Sequence, residues 1–200
     1  MQAQELIRLQ IELEYRLEGD GLIPFPGSTE QARFIVYRFK GGFTRFYRID
    51  IPVQLRLELD RVDATQVFEA QALVHEIMNA YSRAGSAGIF ESCSFVQSPR
   101  LHAYPDVERD GKSYIVKADG KPACWAWSER TNDRCVEVAV ETLPAYQRRG
   151  FARQTVSALA ADEMRKGKVV FFSYKLDNLA SQALGRSLGV VPFATCAAFE

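Results

Sequence analysis

Cys135-Val-Glu-Val-Ala-Val-Glu-Thr-Leu-Pro-Ala-Tyr-Gln-Arg-Arg-Gly-Phe-Ala152 is the stretch whose reading decides the fold. Its opening, Cys135 to Thr142, is rich in β-branched residues and reads as a strand. Leu143-Pro144-Ala145-Tyr146 breaks that strand. A helix follows, because Ala152, Val156, Leu159, Ala160, Ala161 and Met164 recur at helical intervals. Gly167 stands where a helix C-terminal glycine is expected.

A strand therefore turns sharply into a helix whose first turn holds one glycine and several cations. The first helical turn leaves N–H groups without internal partners, and the helix dipole adds partial positive charge there. Gly150 removes a side chain, so a phosphate can approach the backbone; Arg148, Arg149 and Arg153 add charge-assisted hydrogen bonds. Chemistry alone makes this a candidate pyrophosphate cradle. A tight turn beside a solvated, arginine-rich helix end reads the same residues equally well. Neither G-x-x-x-x-G-K-[ST] nor G-x-G-x-x-G occurs, so a P-loop or Rossmann site is unsupported.

Upstream, Ser113-Tyr-Ile-Val-Lys117, Ala123-Cys-Trp-Ala-Trp-Ser128 and Val136 to Thr142 predict a three-stranded meander. Its turns fall at Asp119-Gly120 and Thr131-Asn-Asp133. Downstream, Val169-Val-Phe-Phe-Ser-Tyr174 predicts a short buried strand, 179–188 a helix, and Val190 to Phe199 a last extended run.

Gln147-x-x-Gly150-x-Ala152 resembles the Q/R-x-x-G-x-G/A motif of the GCN5-related N-acetyltransferases, the GNAT superfamily. The preceding strand with Pro144-Ala-Tyr146 is similar to that family in order and spacing. So is the later Asn178-Leu-Ala-Ser-Gln-Ala-Leu-Gly-Arg-Ser-Leu-Gly189. The resemblance covers roughly residues 86–200. It implies an α+β fold, a mostly antiparallel sheet flanked by helices; the residue pattern before it adds an N-terminal helix–hairpin–helix extension. Two parts are expected: an α/β extension at 1–65 and an acetyl-CoA-binding domain at 66–200.

The activity implied is N-acetyl transfer from acetyl-CoA to a primary amine of a small molecule or peptide. A catalytically silent acyl-CoA-binding or regulatory module is the alternative. By the resemblance, the main chain of Val140, Glu141 and Thr142 pairs with the pantetheine arm like an added strand. Arg148, Arg149, Gly150, Phe151, Ala152 and Arg153 form the phosphate loop, and Asn178 and Ser181 contact the arm and its phosphate end. Read structurally, the first three are sheet residues and Asn178 caps a helix. Glu137 is the expected base, acting directly or through water, with Glu141 beside it. A surface glutamate on a half-exposed strand is the competing reading. Many family members carry a tyrosine seven residues after the asparagine; here that position is Gly185. Either another group such as Tyr174 protonates the leaving thiolate, the thiolate leaves unaided, or the protein binds CoA without turnover.

The N-terminal part has no counterpart in that motif. Gln4 to Leu17 predicts a helix, and Phe34 to Phe39 with Phe43 to Ile51 around Lys40-Gly41-Gly42 predicts a β-hairpin. Its aromatics and arginines could stack single-stranded nucleic acid, but core packing with arginines on the wet face is the preferred reading. Pro52 to Asp60 alternates its leucines as a strand does, but Pro52 suits a helix N1 position and the helix is the preferred reading. A further helix is expected to start at Asp63-x-x-Gln66, with the stripe Val67, Ala70, Leu73, Val74, Ile77 and Tyr81 and with His75 off it. Gly85 to Pro99 is loop-like with Ile89 to Phe95 extended, and Tyr104-Pro105 and Asp110-Gly111 are loop signals. Ser92-Cys93-Ser94 lacks any placed activating group and is not read as a nucleophile.

Lys plus Arg number 25 and Asp plus Glu 25, and this zero net charge argues against a dedicated nucleic-acid binder. Cys93, Cys124, Cys135 and Cys196 lie far apart and read as reduced thiols of a cytosolic protein. With His75 and His102 as the two histidines, no metal is expected. No apolar run approaches bilayer length, so a soluble, cytoplasmic protein without membrane partner is expected. The apolar last strand would allow subunit pairing in a homodimer.

Overall fold

The computed structural model describes residues 1–28, 32–81, 85–96, 104 and 106–200; His102, Pro99 and Pro105 lie outside them. The chain forms two compact units, Met1–Glu91 with Phe193–Glu200, and Ser92–Pro192.

The first unit contains α1 (Ala3–Ile11), β1 (Tyr15–Glu18), β2 (Gly21–Pro24), β3 (Phe34–Phe39) and β4 (Gly42–Arg48). Then come α2 (Val53–Arg61), α3 (Ala64–Glu69), α4 (Gln71–Asn79) and the start of β5 (Ala87–Ser94). The last strand, β11 (Val191–Phe199), returns to this unit from Phe193. Its strands lie in the order β1-β2-β4-β3-β11-β5. The expected hairpin is present, with Phe39 opposite Gly42. Both faces of this sheet are covered. Phe34, Val36, Tyr47, Ala197 and Phe199 pack with Leu55, Leu59, Val67, Val74 and Met78 of α2–α4. Ile35, Tyr37, Phe46 and Cys196 pack on the other side with Ile7 and Ile11 of α1. Successive strand residues point to opposite faces, so covering both explains the unbroken apolar run at the start of β3. Each buried Val, Leu, Ile, Phe or Met among them contributes about 1.5–3 kcal/mol.

Phe34, Tyr37, Phe46 and Tyr47 of the hairpin are thus core, whereas Phe43 is exposed. One arginine departs from the expected wet face: Arg45 turns inward and donates to the carbonyls of Leu59, Asp60 and Val62, satisfying the C-terminal end of α2. Other expectations are corrected too. The first helix stops at Ile11 rather than Leu17, and Tyr15–Glu18 pairs with Gly21–Pro24 as a strand. The stripe from Val67 to Tyr81 breaks at Ala70 (φ −129°, ψ 56°) into two helices; Leu73 is exposed and Met78 takes the core position. The extended run expected at Ile89 to Phe95 is present as the strand Ala87–Ser94, which begins two residues earlier; residues 97–99 of the expected loop lie outside the described residues. β11 lies between β3 and β5, so both its edges are used within the chain and it offers no edge to a second copy. Residue 65, the expected boundary, falls within α3.

The second unit takes the end of β5, then β6 (Val107–Asp110), β7 (Ser113–Ala118), β8 (Lys121–Thr131) and β9 (Cys135–Thr142). A 3₁₀ turn at Pro144–Tyr146 leads into α5 (Phe151–Arg165), followed by β10 (Val169–Lys175) and α6 (Leu179–Leu188). Strand order is β5-β10-β9-β8-β7-β6. The expected meander gains a fourth strand, since Asp110-Gly111 is a tight hairpin turn with Asp110 opposite Ser113. Neighbours β6 to β9 run antiparallel, while β9 and β10 are parallel because α5 crosses between them. Val156, Leu159 and Ala160 of α5 are fully buried against Ala126, Val136, Val138, Val170 and Phe172. Gly167 at φ 83° follows the helix end in the left-handed conformation that glycine adopts freely. The sheets of both units are mostly antiparallel and flanked by helices, as the sequence implies.

Candidate functional site

β9 and β10 start as a parallel pair, with Cys135, Val136 and Glu137 opposite Val169, Val170 and Phe171. Both strands continue beyond that point, but their ladder does not. The phase of β9 is set by Leu143 N–H donating to Ala123 O on one side and Arg134 O accepting from Val169 N–H on the other. Main-chain groups alternate sides along a strand. Those of Val138, Val140 and Thr142 therefore face the opening towards β10, while those of Ala139 and Glu141 join the β8 ladder. The Thr142 carbonyl accepts from Gln147 Nε2 at 3.5 Å. The Thr142 hydroxyl donates to Cys124 Sγ at 3.1 Å, and Cys124 also meets Thr155 of α5 at 3.5 Å. These contacts tie the strand end to the helix start.

The loop between them is open. Gly150 takes φ 81°, and a Cβ there would meet nothing within 4 Å. Arg148 sits at φ 60°, a left-handed conformation costing a non-glycine residue about 1–2 kcal/mol. The first intrahelical bond of α5 runs from Gln154 N–H to Gly150 O, and Gly150 supplies no side-chain cap. The N–H groups of Phe151, Ala152 and Arg153 precede that ladder. The Arg149 guanidinium lies 5.5 Å from the Tyr146 ring centroid and 5.0 Å from that of Phe151. Such cation–π contact orients it without neutralising it.

At the start of α6, Asn178 Oδ1 accepts from Ser181 N–H at 3.0 Å, the cap expected of asparagine. Gly185 of this helix is buried, and a Cβ there would meet Tyr174 Cε1 at 3.2 Å. The Tyr174 ring thus fills the space that a side chain at 185 would need. Its hydroxyl accepts from Cys93 Sγ at 3.8 Å. Glu137 is buried on β9, and its Oε1 accepts from Ser173 N–H at 2.9 Å, whereas Glu141 is exposed. The expected residues on β9, the loop and α5 are thus sequential neighbours around one strand-to-helix turn; Asn178 and Ser181 follow the parallel partner strand.

Outside that set, burial outweighs nearby Arg38 and raises the Glu91 carboxyl above its ordinary range. The sequence carries no signal for it, since burial on β5 arises from the fold. All four cysteines are buried and outside any disulfide. Among the described residues no group of three or more His, Cys, Asp or Glu side chains could hold a metal ion, and no helix is long and apolar enough to cross a membrane.

A family model described as GNAT acetyltransferase matches residues 3–193. The family therefore extends over the N-terminal part as well, and the resemblance confined to the C-terminal half was too narrow. Among solved structures, an acetyltransferase of the GNAT family from Colwellia psychrerythraea shares the fold at TM-score 0.54 and 11% identity, covering 100% of this chain and 97% of that one. A candidate GNAT-family acetyltransferase from Novosphingobium aromaticivorans DSM 12444 matches at TM-score 0.53 and 19% identity; the match covers 58% of this chain and 66% of that chain's length. No curated protein matches the chain.

Proposed function

We propose that this acyltransferase, which belongs to the GNAT acetyltransferase family, transfers an acetyl group from acetyl-CoA to a primary amine of a small molecule or peptide. The observation that carries this reading is the opening between β9 and β10, which leads to the uncapped start of α5. An extended arm can add to the β9 edge through the main chain of Val140 and Thr142. Glu141, whose main chain is spent on β8, has only its exposed side chain for such a contact. Phosphates suit the N–H groups of Phe151, Ala152 and Arg153, with Arg148 and Arg149 adding charge and Gly150 leaving room. Asn178 uses Oδ1 for its cap, so its amide NH₂ remains for the arm, beside Ser181.

Acetyl-CoA would supply the activated thioester; as the amine nitrogen bonds the acetyl carbon and the C–S bond breaks, the chain must take a proton from the amine and protonate the leaving thiolate. Glu137 is our choice of base, directly or through a water, with its Oε1 oriented by the Ser173 N–H. Tyr174 is our choice of acid, because its phenol stands over Gly185 where the family tyrosine is missing. The same glycine favours a second reading, a member that binds acyl-CoA without turnover. We place the protein in the cytoplasm, with no metal requirement.

Calorimetric titration with acetyl-CoA and CoA, followed by thiol release against an amine panel, tests both readings. Binding with release supports the enzyme. Binding with no release from any amine supports the silent module. Absence of binding sinks both.

A further inference from the structure

The ladder between β9 and β10 stops after Glu137 and Phe171, although the strands were already side by side. Something must part them, because each further rung would satisfy two main-chain groups. Val169 N–H donates to Arg134 O, so Val169, Phe171 and Ser173 turn their main chain towards β9. In an unbroken parallel ladder, Ser173 N–H would donate to the Val138 carbonyl. It donates instead to Glu137 Oε1 at 2.9 Å. Glu137 is 8% exposed, so an N–H stranded beside it would be costly to leave unpaired. A second feature falls at the same place. The β8–β9 register slips between Ser128 and Arg130, a bulge opposite Val138 and Glu137. Bulges bend the strand and increase its twist.

We propose that Glu137 is a wedge. Its carboxylate takes the donor of the next rung, ends the ladder without orphaning Ser173, and keeps the Val140 edge open for the arm of the acyl-CoA co-substrate. This positioning role rests on the reading above for its ligand, but differs from the base role in what it requires. The wedge needs an acceptor oxygen at the right reach; the base needs a basic carboxylate.

Three variants of the full chain separate these demands: Glu137→Gln, Glu137→Asp and Glu137→Ala. Each is titrated with CoA by calorimetry, checked by thermal melting, and followed by amide hydrogen exchange at Val140. Gln keeps an acceptor at the same reach, so CoA affinity and fast Val140 exchange are expected to match wild type. Asp keeps the charge but falls one methylene short, and Ala has no acceptor. Both are expected to bind CoA about tenfold or more weakly and to slow Val140 exchange as the strands close. Should Ala fail to fold, the contrast between Gln and Asp carries the same information. Equal loss of affinity in Gln and Asp overturns the wedge in favour of charge; unchanged affinity and exchange in Asp overturns it outright. A wild type that does not bind CoA removes the functional reading only, and Val140 exchange in Asp against Gln then decides the wedge by itself.

Discussion

At the C-terminal end of α5, Asp162 accepts from the Tyr114 hydroxyl and pairs with Arg165 at 2.9 Å and Lys166 at 3.3 Å. Glu163 beside it pairs with Lys166 at 2.7 Å and Lys168 at 3.3 Å. At the N-terminal end of the same helix, Arg148 and Arg153 make no ion pair among the described residues. Cations at a helix C-terminus complement the dipole, and here carboxylates hold them in place. Cations at an N-terminus oppose the dipole, so at an end that gathers them without carboxylate partners an anion from outside would relieve the repulsion. One end of α5 holds the fold; the other is the end we propose for a ligand.

The largest effect should come from reversing the open end. Arg148→Glu with Arg149→Glu is expected to weaken CoA binding by about two orders of magnitude, since each charged hydrogen bond contributes about 1.5–3 kcal/mol, while the melting temperature stays put. Unchanged affinity would break the comparison. Next is Gly150→Val. No protein atom lies near its Cβ, so stability should fall only by the left-handed strain of about 1–2 kcal/mol. Any loss of CoA affinity beyond that reports a ligand approaching the backbone. If calorimetry finds affinity tracking stability alone, the phosphate assignment fails.

At the closed end, Asp162→Asn should cost about 1–2 kcal/mol of stability, read by urea unfolding, with CoA affinity unchanged. A fall in affinity instead would mean that both ends serve the ligand. The smallest effect is the acid limb. The hydrogen bond from Tyr114 holds the Asp162 carboxyl below its ordinary range, with Lys166 and Arg165 adding to it. Burial pushes Glu163 up, but hydrogen bonds from Lys166 and Lys168 outweigh it and leave the carboxyl low. Folded values below unfolded ones give stability that is present above about pH 4 and is lost as pH falls through the folded values. Melting temperature against pH should therefore fall less steeply below pH 4 in Asp162→Asn. Parallel curves would remove the network from the account.

Much of the second unit was legible because its signals are local. The alternation of Ser113 to Thr142, the helical spacing from Ala152 to Met164 and the Asn178 cap each lie within a few residues of what they specify. The first unit was less so. Tyr15–Glu18 continues a helical pattern and becomes a strand because Gly21–Pro24 folds back on it. Ala87–Ser94 mixes glycine, serine and glutamate, and is a strand because β11 and β10, distant in sequence, flank it. Tertiary pairing outweighs weak local preference at such places.

The candidate site divides the same way. Gly150 and the arginines of the proposed cradle could be named from the sequence, since one short loop carries them and the chemistry proposed for them depends on residue type. The phase of β9, which turns Val140 and Thr142 to the opening and Glu141 away from it, required knowing which strand lies on each side. The replacement at Gly185 was visible, but not that Tyr174 fills its space. The sequence by itself determined the strand, the turn and the helix, because propensity, periodicity and a glycine act over a few residues. The end of the β9–β10 ladder was decided only by the tertiary structure, because the bond from Ser173 N–H to Glu137 spans 36 positions of chain and forms only after α5 has brought the two strands alongside.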